Sequence, residues 1–315
     1  HGPASRMSVP ARWIIGRGLL GRAVARARSY TEGEPVGVDV PWDDPDASVA
    51  VLRAGLTEFV QRPGDLQLYW CAGRGVTSTP LSVLEVEVDV FTRFLAAVED
   101  LPAKDRARLT VFLASSVGGA YAGASAPPFT ESTPPQPGAP YGVAKLQMET
   151  ALRDATAAGG WRSFIGRITN IYGAGQDLTK AQGLISALVR GHLSGQPIPV
   201  YVSLDTLRDY IYEDDCAAVI DAGMTRAATT DAGTTTVKII GTMRAVSIGA
   251  LLSELTRLRR RRGPIVLGGG DARGQALDLR VRSEVWTDLD GLVSVTLPDG
   301  LSRVYQAQLS GRAIA

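Results

Sequence analysis

Short apolar runs alternate with longer stretches of helical character along the first half of the chain. This alternation restricts the fold more than any other feature. Arg12-Trp13-Ile14-Ile15 and Leu109 to Ala114 each read as a buried strand, and Leu66 to Gly73 as a strand running into a small-residue turn. Arg22 to Ala27 and Leu84 to Asp100 read as helices. Strands separated by helices build a parallel sheet with right-handed crossovers and helices on both faces. Ligands then collect at the carboxyl ends of the strands. The expected fold is α/β, a doubly wound parallel sheet followed by a smaller C-terminal α/β lobe.

The residues after the strands carry the first functional signal. Gly16-Arg17-Gly18-Leu19-Leu20-Gly21 links the first strand to the first helix. Strand, glycine-rich turn and helix form the context of a dinucleotide fingerprint. The glycines permit a tight turn and close approach of a pyrophosphate to the helix N-terminus. Val36-Gly37-Val38 reads as a second strand ending at Asp39, which lies 18 residues past Gly21. That is near the spacing at which a carboxylate meets the adenosine ribose hydroxyls. The competing reading makes Asp39 part of the acidic turn Asp43-Asp44-Pro45-Asp46. Cys71-Ala72-Gly73 forms a small-residue turn after the Leu66 strand. Gly16, Asp39, Gly73 and Ser116 are thus expected to converge on one crevice. The candidate cofactor-binding residues are Gly16, Arg17, Gly18, Leu19, Leu20, Gly21, Asp39, Cys71, Ala72, Gly73, Ser115, Tyr141 and Lys145. Asp39 points to NAD, whereas Arg17 inside the turn suits the 2′-phosphate of NADP. NAD is the expected cofactor, with NADP the alternative.

The second signal runs from Ser115 to Lys145. Tyr141 and Lys145, four residues apart, share one face of a helix. An ammonium beside a phenol favours the phenolate and lowers the tyrosine pKa from its usual value near 10. The tyrosine then becomes a usable acid/base at neutral pH. A hydroxyl of Ser115-Ser116 can bond the same reacting oxygen. Such a trio suits moving a proton on or off a sugar or alcohol hydroxyl while a hydride leaves the carbon. Ser116, Tyr141 and Lys145 are the candidate catalytic residues. Between them, Pro127 to Pro140 holds six prolines and cannot be helix. We read it as an ordered loop leading into the tyrosine helix.

With these segments in place the chain resembles the extended short-chain dehydrogenases/reductases, also called the NAD-dependent epimerase/dehydratase family. The resemblance runs from about Arg12 to about Gln308. Its pieces, in family order, are the Gly16–Gly21 turn, Ser115-Ser116 with Tyr121, Tyr141 with Lys145, Arg167-Ile168-Thr169-Asn170-Ile171-Tyr172-Gly173, and Arg208-Asp209-Tyr210-Ile211-Tyr212-Glu213-Asp214-Asp215. The 25 residues from Ser116 to Tyr141 also look like the family's separation. One departure is that Ile15 stands where the family usually has its first glycine, so the turn is one residue shorter. The resemblance implies a Rossmann-type domain over 7–173 carrying the Ser/Tyr/Lys site. It implies a mainly substrate-binding lobe over 174–315, of which about 205–240 returns to the first domain.

The resemblance further implies a nucleotide-diphosphate sugar as substrate. Asn170 approaches the diphosphate and Arg208 pairs with it, beside Ser116 at the sugar. Arginine suits this role because its planar fork binds two oxygens at once. A salt bridge of Arg208 to Asp205 or Asp209 is the equally weighted alternative. Arg167 and Asp215 are expected to brace the structure, and Arg273 and Arg282 are candidates for a second diphosphate-binding arginine. The main expectation is an NAD-dependent nucleotide-sugar 4-epimerase working through a transient 4-keto sugar. The alternative is an NAD(P)H-dependent 4-ketoreductase of a deoxysugar pathway, and a remote one is a non-catalytic cofactor-sensing protein. A 4,6-dehydratase is disfavoured, because Val117-Gly118 follows Ser116 where such relatives carry Asp-Glu.

Composition is consistent with this class. A chain of 315 residues with net charge +1 and 21% charged residues argues against a nucleic-acid-coating surface. Two cysteines, Cys71 and Cys216, give no disulfide framework and point to a reducing, cytoplasmic setting. No 18-residue apolar run is present, so no membrane span is expected. His1 to Arg6 ahead of Met7 reads as a cloning remnant. With only His1 and His192, no histidine-based metal site is expected. Gly183 to Gly191 reads as a helix, Pro197 to Val202 as a strand, and Ser247 as the cap of a helix through Leu255. Arg257 and Arg259 to Arg262 at its end suit a helix C-terminus. A homodimer pairing the Leu84–Asp100 and Tyr141–Thr156 helices is expected from the resemblance.

Overall fold

The computed structural model describes residues 9–27, 38–73, 75–76, 78–176, 183–260, 265–268 and 276–311. The first half runs β1 (Ala11–Ile15), α1 (Leu19–Arg26), α2 (Pro45–Phe59), β2 (Leu66–Trp70), α3 (Leu81–Glu99), the single turn α4 (Ala103–Arg106), β3 (Leu109–Ser116), α5 (Val117–Tyr121), α6 (Pro140–Gly159) and β4 (Arg162–Ile168). The second half runs β5 (Asn170–Tyr172), α7 (Leu184–Ser194), β6 (Ile198–Val200), β7 (Leu207–Arg208), β8 (Tyr210–Tyr212), α8 (Glu213–Ala227), β9 (Thr235–Ile240), β10 (Val246–Ser247), α9 (Ile248–Arg259), β11 (Ile265–Leu267), a 3₁₀ turn (Thr287–Leu292) and α10 (Leu297–Leu309).

The central sheet has the order β1-β2-β3-β4-β9, and every pairing is parallel. Its strands are apolar on both sides because helices cover both faces. One face packs Trp13, Leu68 and Trp70 against Leu52, Phe59, Phe91, Phe94 and Met148 of α2, α3 and α6. The opposite face packs Ile14, Tyr69, Phe112 and Phe164 against Val24 of α1 and Ile220 and Met224 of α8. Trp70 anchors the first face, its ring 4.8 Å from Phe91 and 5.3 Å from Phe94. Asp44 caps α2 by accepting from the Ala47 amide, with Pro45 preset at the first helical position. A separate core joins α7, α9 and α10 to Tyr172, Tyr210 and Tyr212 of β5 and β8.

The structure departs from the sequence expectation in several places. Val36 and Gly37 lie outside the described residues, and Val38–Val40 forms no strand. The Trp42 and Asp44 amides instead close local turns onto Val40 and Pro41, while Val40 buries its side chain in the core. Helix α3 begins at Leu81, three residues before the expected start, because Pro80 precedes it as cap. Helix α7 continues to Ser194, where Gly195 in the left-handed region ends it. Strand β6 is confined to Ile198–Val200. Ser247 caps α9 as expected, accepting from the Ala250 amide.

One buried node fixes α6 to the sheet. Glu149, fully buried, accepts from Ser115 Oγ at 2.6 Å and from Arg167 Nε and Nη2 at 3.0 and 2.7 Å. Arg167 also donates to the Tyr121 hydroxyl at 2.7 Å, and that hydroxyl donates to the Thr130 carbonyl at 2.9 Å. Arg167 therefore braces β4 against α6, α5 and the proline-rich loop. Removing one partner strands a buried charge, which costs about 3–5 kcal/mol. Glu149→Ala is expected to lose about that much stability, read as a lowered urea midpoint. Glu149→Gln, which keeps the shape, is expected to lose less.

Candidate active site

The cleft lies at the carboxyl ends of β1, β2 and β3. Gly16 leaves β1 with φ +90°, a conformation that side chains resist. A Cβ there would sit 2.4 Å from the Ala72 amide nitrogen, and one at Gly21 would sit 1.9 Å from the Gly16 carbonyl oxygen. These two glycines let the turn, the start of α1 and the end of β2 close on one another. Gly18 differs: a Cβ there meets nothing within 4 Å. It is the N-cap of α1, and among the described residues no side-chain hydrogen bond caps the helix. An uncapped helix start behind a glycine that leaves room for close approach fits the pyrophosphate of a dinucleotide. Arg17 and Asp39 are both exposed. The Cys71 thiol, packed under Gly21, is pushed up to about 12 by burial.

Ser116 ends β3 and caps α5, its Oγ accepting from the Gly119 amide at 3.1 Å. Tyr141 follows Pro140 at the start of α6, and Lys145 stands one turn on, Nζ 5.8 Å from the Tyr141 ring centroid. A Cβ at Gly119 would lie 3.3 Å from Ser116 Cβ and 3.4 Å from Tyr141 Cε1, so Gly119 separates the two by one atom's width. A Cβ at Gly142 would strike the Gly119 carbonyl at 2.1 Å. Two bare glycines thus bring α5 and α6 together and set the tyrosine beside the serine. Gly75 lies against the other edge of the Tyr141 ring. Ser115 turns its hydroxyl away, into the bond with Glu149.

The structure brings Ser116, Tyr141, Lys145 and Gly73 together. Asn170 opens β5, which pairs with β8, and Arg208 ends β7; Asp209 links them, since the Asn170 amide and its Nδ2 both donate to the Asp209 carbonyl at 3.0 Å. The ion pair offered as the alternative for Arg208 is not formed. Its guanidinium donates to the Leu207 and Ala276 carbonyls at 2.8 and 2.7 Å. The Asp209 carboxylate is instead taken up by Thr169, Thr242 and the Arg244 amide. Burial holds the Arg208 pKa below its usual value, against the pull of Tyr210 and Asp278. Asp215 accepts from the Ser294 and Val295 amides and holds that segment to α8. Arg273 lies outside the described residues, and exposed Arg282 meets Glu284 at 3.5 Å. Sequence reading missed Glu87, which bonds Lys145 at 2.7 Å. Only a contact between elements far apart in the chain reveals it.

A parallel sheet wound on both sides, a glycine turn before an open helix start and a Ser/Tyr/Lys cluster define an extended short-chain dehydrogenase/reductase. The model of the NAD dependent epimerase/dehydratase family matches residues 71–238, more than half of the chain, and the chain belongs to that family. The dTDP-4-dehydro-6-deoxyglucose reductase of Escherichia coli is 36% identical over 101 residues, 32% of this chain and 32% of that protein. The UDP-glucose 4-epimerase of Azospirillum brasilense is 34% identical over 125 residues, 36% of each. The chain spans about a third of the length of these curated relatives. The solved structure of MoeE5 in complex with UDP-glucose and NAD shares the fold, with a TM-score of 0.76 over 96% of this chain and 100% of that one at 20% identity.

The glycine turn gives a direct test. Gly18→Ala is expected to leave the melting temperature unchanged while weakening NAD binding about tenfold or more, because it only fills the open approach. Gly16→Ala is expected to lower both, since it clashes with the β2 backbone. Thermal melts and calorimetric titration with NAD check the pair.

Proposed function

We propose that the protein is an NAD-dependent nucleotide-sugar 4-epimerase acting through a transient 4-keto sugar. The observation that carries this reading is the packing of Ser116, Tyr141 and Lys145 around Gly119 and Gly142, next to the glycine turn. NAD, held by Gly16–Gly21, Gly73 and Lys145, supplies hydride acceptance and return at the sugar C4. Tyr141 takes the proton from the 4-hydroxyl and gives it back on re-reduction from the other face. Ser116 holds the same oxygen by hydrogen bonding. Lys145 sets its ammonium beside the Tyr141 ring and binds the nicotinamide ribose. Arg208, buried without a carboxylate partner among the described residues, suits an anionic diphosphate, and Asn170 stands beside it. In this reading 7–173 is the cofactor domain and 174–315 mainly the substrate lobe, with about 205–240 returning to the first.

A one-way 4-ketoreductase using NADH or NADPH is the second reading. The exposed Arg17 on the turn favours it, since a guanidinium suits a phosphate. The partial likeness to a 4-keto-deoxysugar reductase supports it too. The reading also includes a cytoplasmic homodimer. Among the described residues no helix is long and apolar enough to cross a membrane. The outer face of α6 carries Val143, Leu146 and Ala151 around an open cavity of about 440 Å³. Light scattering at micromolar protein tests the dimer.

Tyr141→Phe is expected to lower turnover at least about 10²-fold, the usual worth of a general acid/base, while NAD binding survives. Unchanged turnover would remove Tyr141 from the chemistry. Mass spectrometry of nucleotide released on denaturation separates the two readings. Retained NAD favours the epimerase, which regenerates its cofactor in each turnover. An empty protein with preference for NADPH favours the reductase.

A further inference from the structure

Lys145 sits deep in the site with its side chain 7% exposed, and its ammonium donates to Glu87 Oε1 at 2.7 Å. Glu87 comes from α3, 58 residues earlier in the chain, and its side chain is 13% exposed. Both charges have left bulk water, and an ammonium so placed tends to lose its proton unless an anion faces it. The pair is also sterically confined. A Cβ at Gly73 would lie 3.1 Å from both Glu87 Oε1 and Lys145 Nζ, so both groups lie close to the loop that follows β2.

Among the described residues the other groups around Lys145 offer no substitute for Glu87. Tyr141, one turn back on α6, is the proposed acid/base itself. Glu149, one turn on, is engaged by Arg167, Arg153 and Ser115. Tyr121 of α5 is bonded to Arg167. Cys71, at the end of β2, is held neutral by burial.

We propose that Glu87 is a positioning residue: its carboxylate keeps the Lys145 ammonium protonated and aimed at the Tyr141 side of the cleft. The proposal rests on the reading of Tyr141 as the acid/base. Burial alone lowers the Lys145 pKa, and Glu87, followed by Tyr141, more than reverses this and leaves it raised. Glu87 thus sets the charge that Lys145 brings to Tyr141, and it does so without touching the substrate.

Loss of this carboxylate moves the pH dependence in one direction. Glu87→Gln removes the anion and keeps the shape. Lys145 then loses its proton at lower pH, which moves the alkaline limb of the rate profile down. Glu87→Asp, which keeps the charge, restores part of the shift. A merely structural role would lower kcat at every pH and leave the alkaline limb in place.

The chain has four lysines, so NMR of protein labelled with ¹³C at the lysine ε-carbon gives few enough signals to follow Lys145 by itself. In the wild-type protein Lys145 is expected to stay charged across the range in which exposed lysines titrate. In Glu87→Gln it is expected to titrate about one unit or more lower. An unchanged Lys145 midpoint in Glu87→Gln overturns the proposal, and so does an unmoved alkaline limb beside a shifted Lys145. Should no nucleotide sugar turn over, the proposed function fails, while the titration still decides whether Glu87 sets the charge of Lys145.

Discussion

The carboxylate of Glu149 is the interaction on which the site depends. It lies in the middle of α6, two turns beyond Tyr141 and one beyond Lys145, and it is fully buried. Its oxygens meet Ser115 of β3 and Arg167 of β4, so the helix that carries the tyrosine is keyed to the strand that ends in Ser116. A buried carboxylate is tolerated only with this degree of hydrogen bonding. The requirement for several partners fixes both the rotation and the axial position of α6. Arg167 extends the same network through the Tyr121 hydroxyl to the proline-rich loop that delivers Pro140. Tyr121 also stacks on Phe129 of that loop, with rings 5.2 Å apart and nearly parallel.

Within that frame the geometry is set by absent side chains. Gly119 and Gly142 let α5 touch α6, and Gly73 and Gly75 let the loop after β2 lie across Lys145 and Tyr141. Any side chain at Gly142 would push Tyr141 away from Ser116, because the obstacle is the Gly119 backbone, which has nowhere to go. Catalytic geometry of this kind tolerates little displacement, since misplacement of about 1 Å costs orders of magnitude in rate.

How much of the molecule is legible in the sequence depends on how local each signal is. The strand at Ala11–Ile15 and the Tyr141–Lys145 helix are each encoded within one element, and each stands where the sequence puts it, whereas the turn expected over Gly16–Gly21 is shorter, because α1 already begins at Leu19 behind its Gly18 cap. The Ser247 cap is local in the same sense. Val38–Val40 has the apolar character of a strand, yet the backbone at Val40 and Pro41 is committed to turns that lead into the Asp44 cap of α2. The partners of Arg208 were not legible at all: the sequence offers two neighbouring aspartates, whereas the fold supplies carbonyls, one of them 68 residues away. Glu87 is hidden for the same reason. Nothing in the Glu85-Val86-Glu87-Val88-Asp89 stretch distinguishes the carboxylate that meets Lys145 from its two exposed neighbours.

The two cations of the candidate site are handled in opposite ways, and the contrast has a physical meaning. Lys145 has a carboxylate at 2.7 Å, so its charge is compensated before any ligand arrives. Arg208 is buried against carbonyl oxygens, and the carboxylate of Asp278 in its vicinity is engaged by Arg280. Neutral acceptors satisfy the guanidinium's hydrogen bonds but leave most of its charge uncompensated. An anion that reaches Arg208 therefore gains more than one that reaches Lys145. On the proposed reading this divides the labour: Arg208 supplies binding energy to a diphosphate remote from the reacting carbon, and Lys145 is kept from competing for it. Binding energy drawn from a remote group can then hold the sugar against Tyr141, while the charge beside the tyrosine stays constant from free protein to complex.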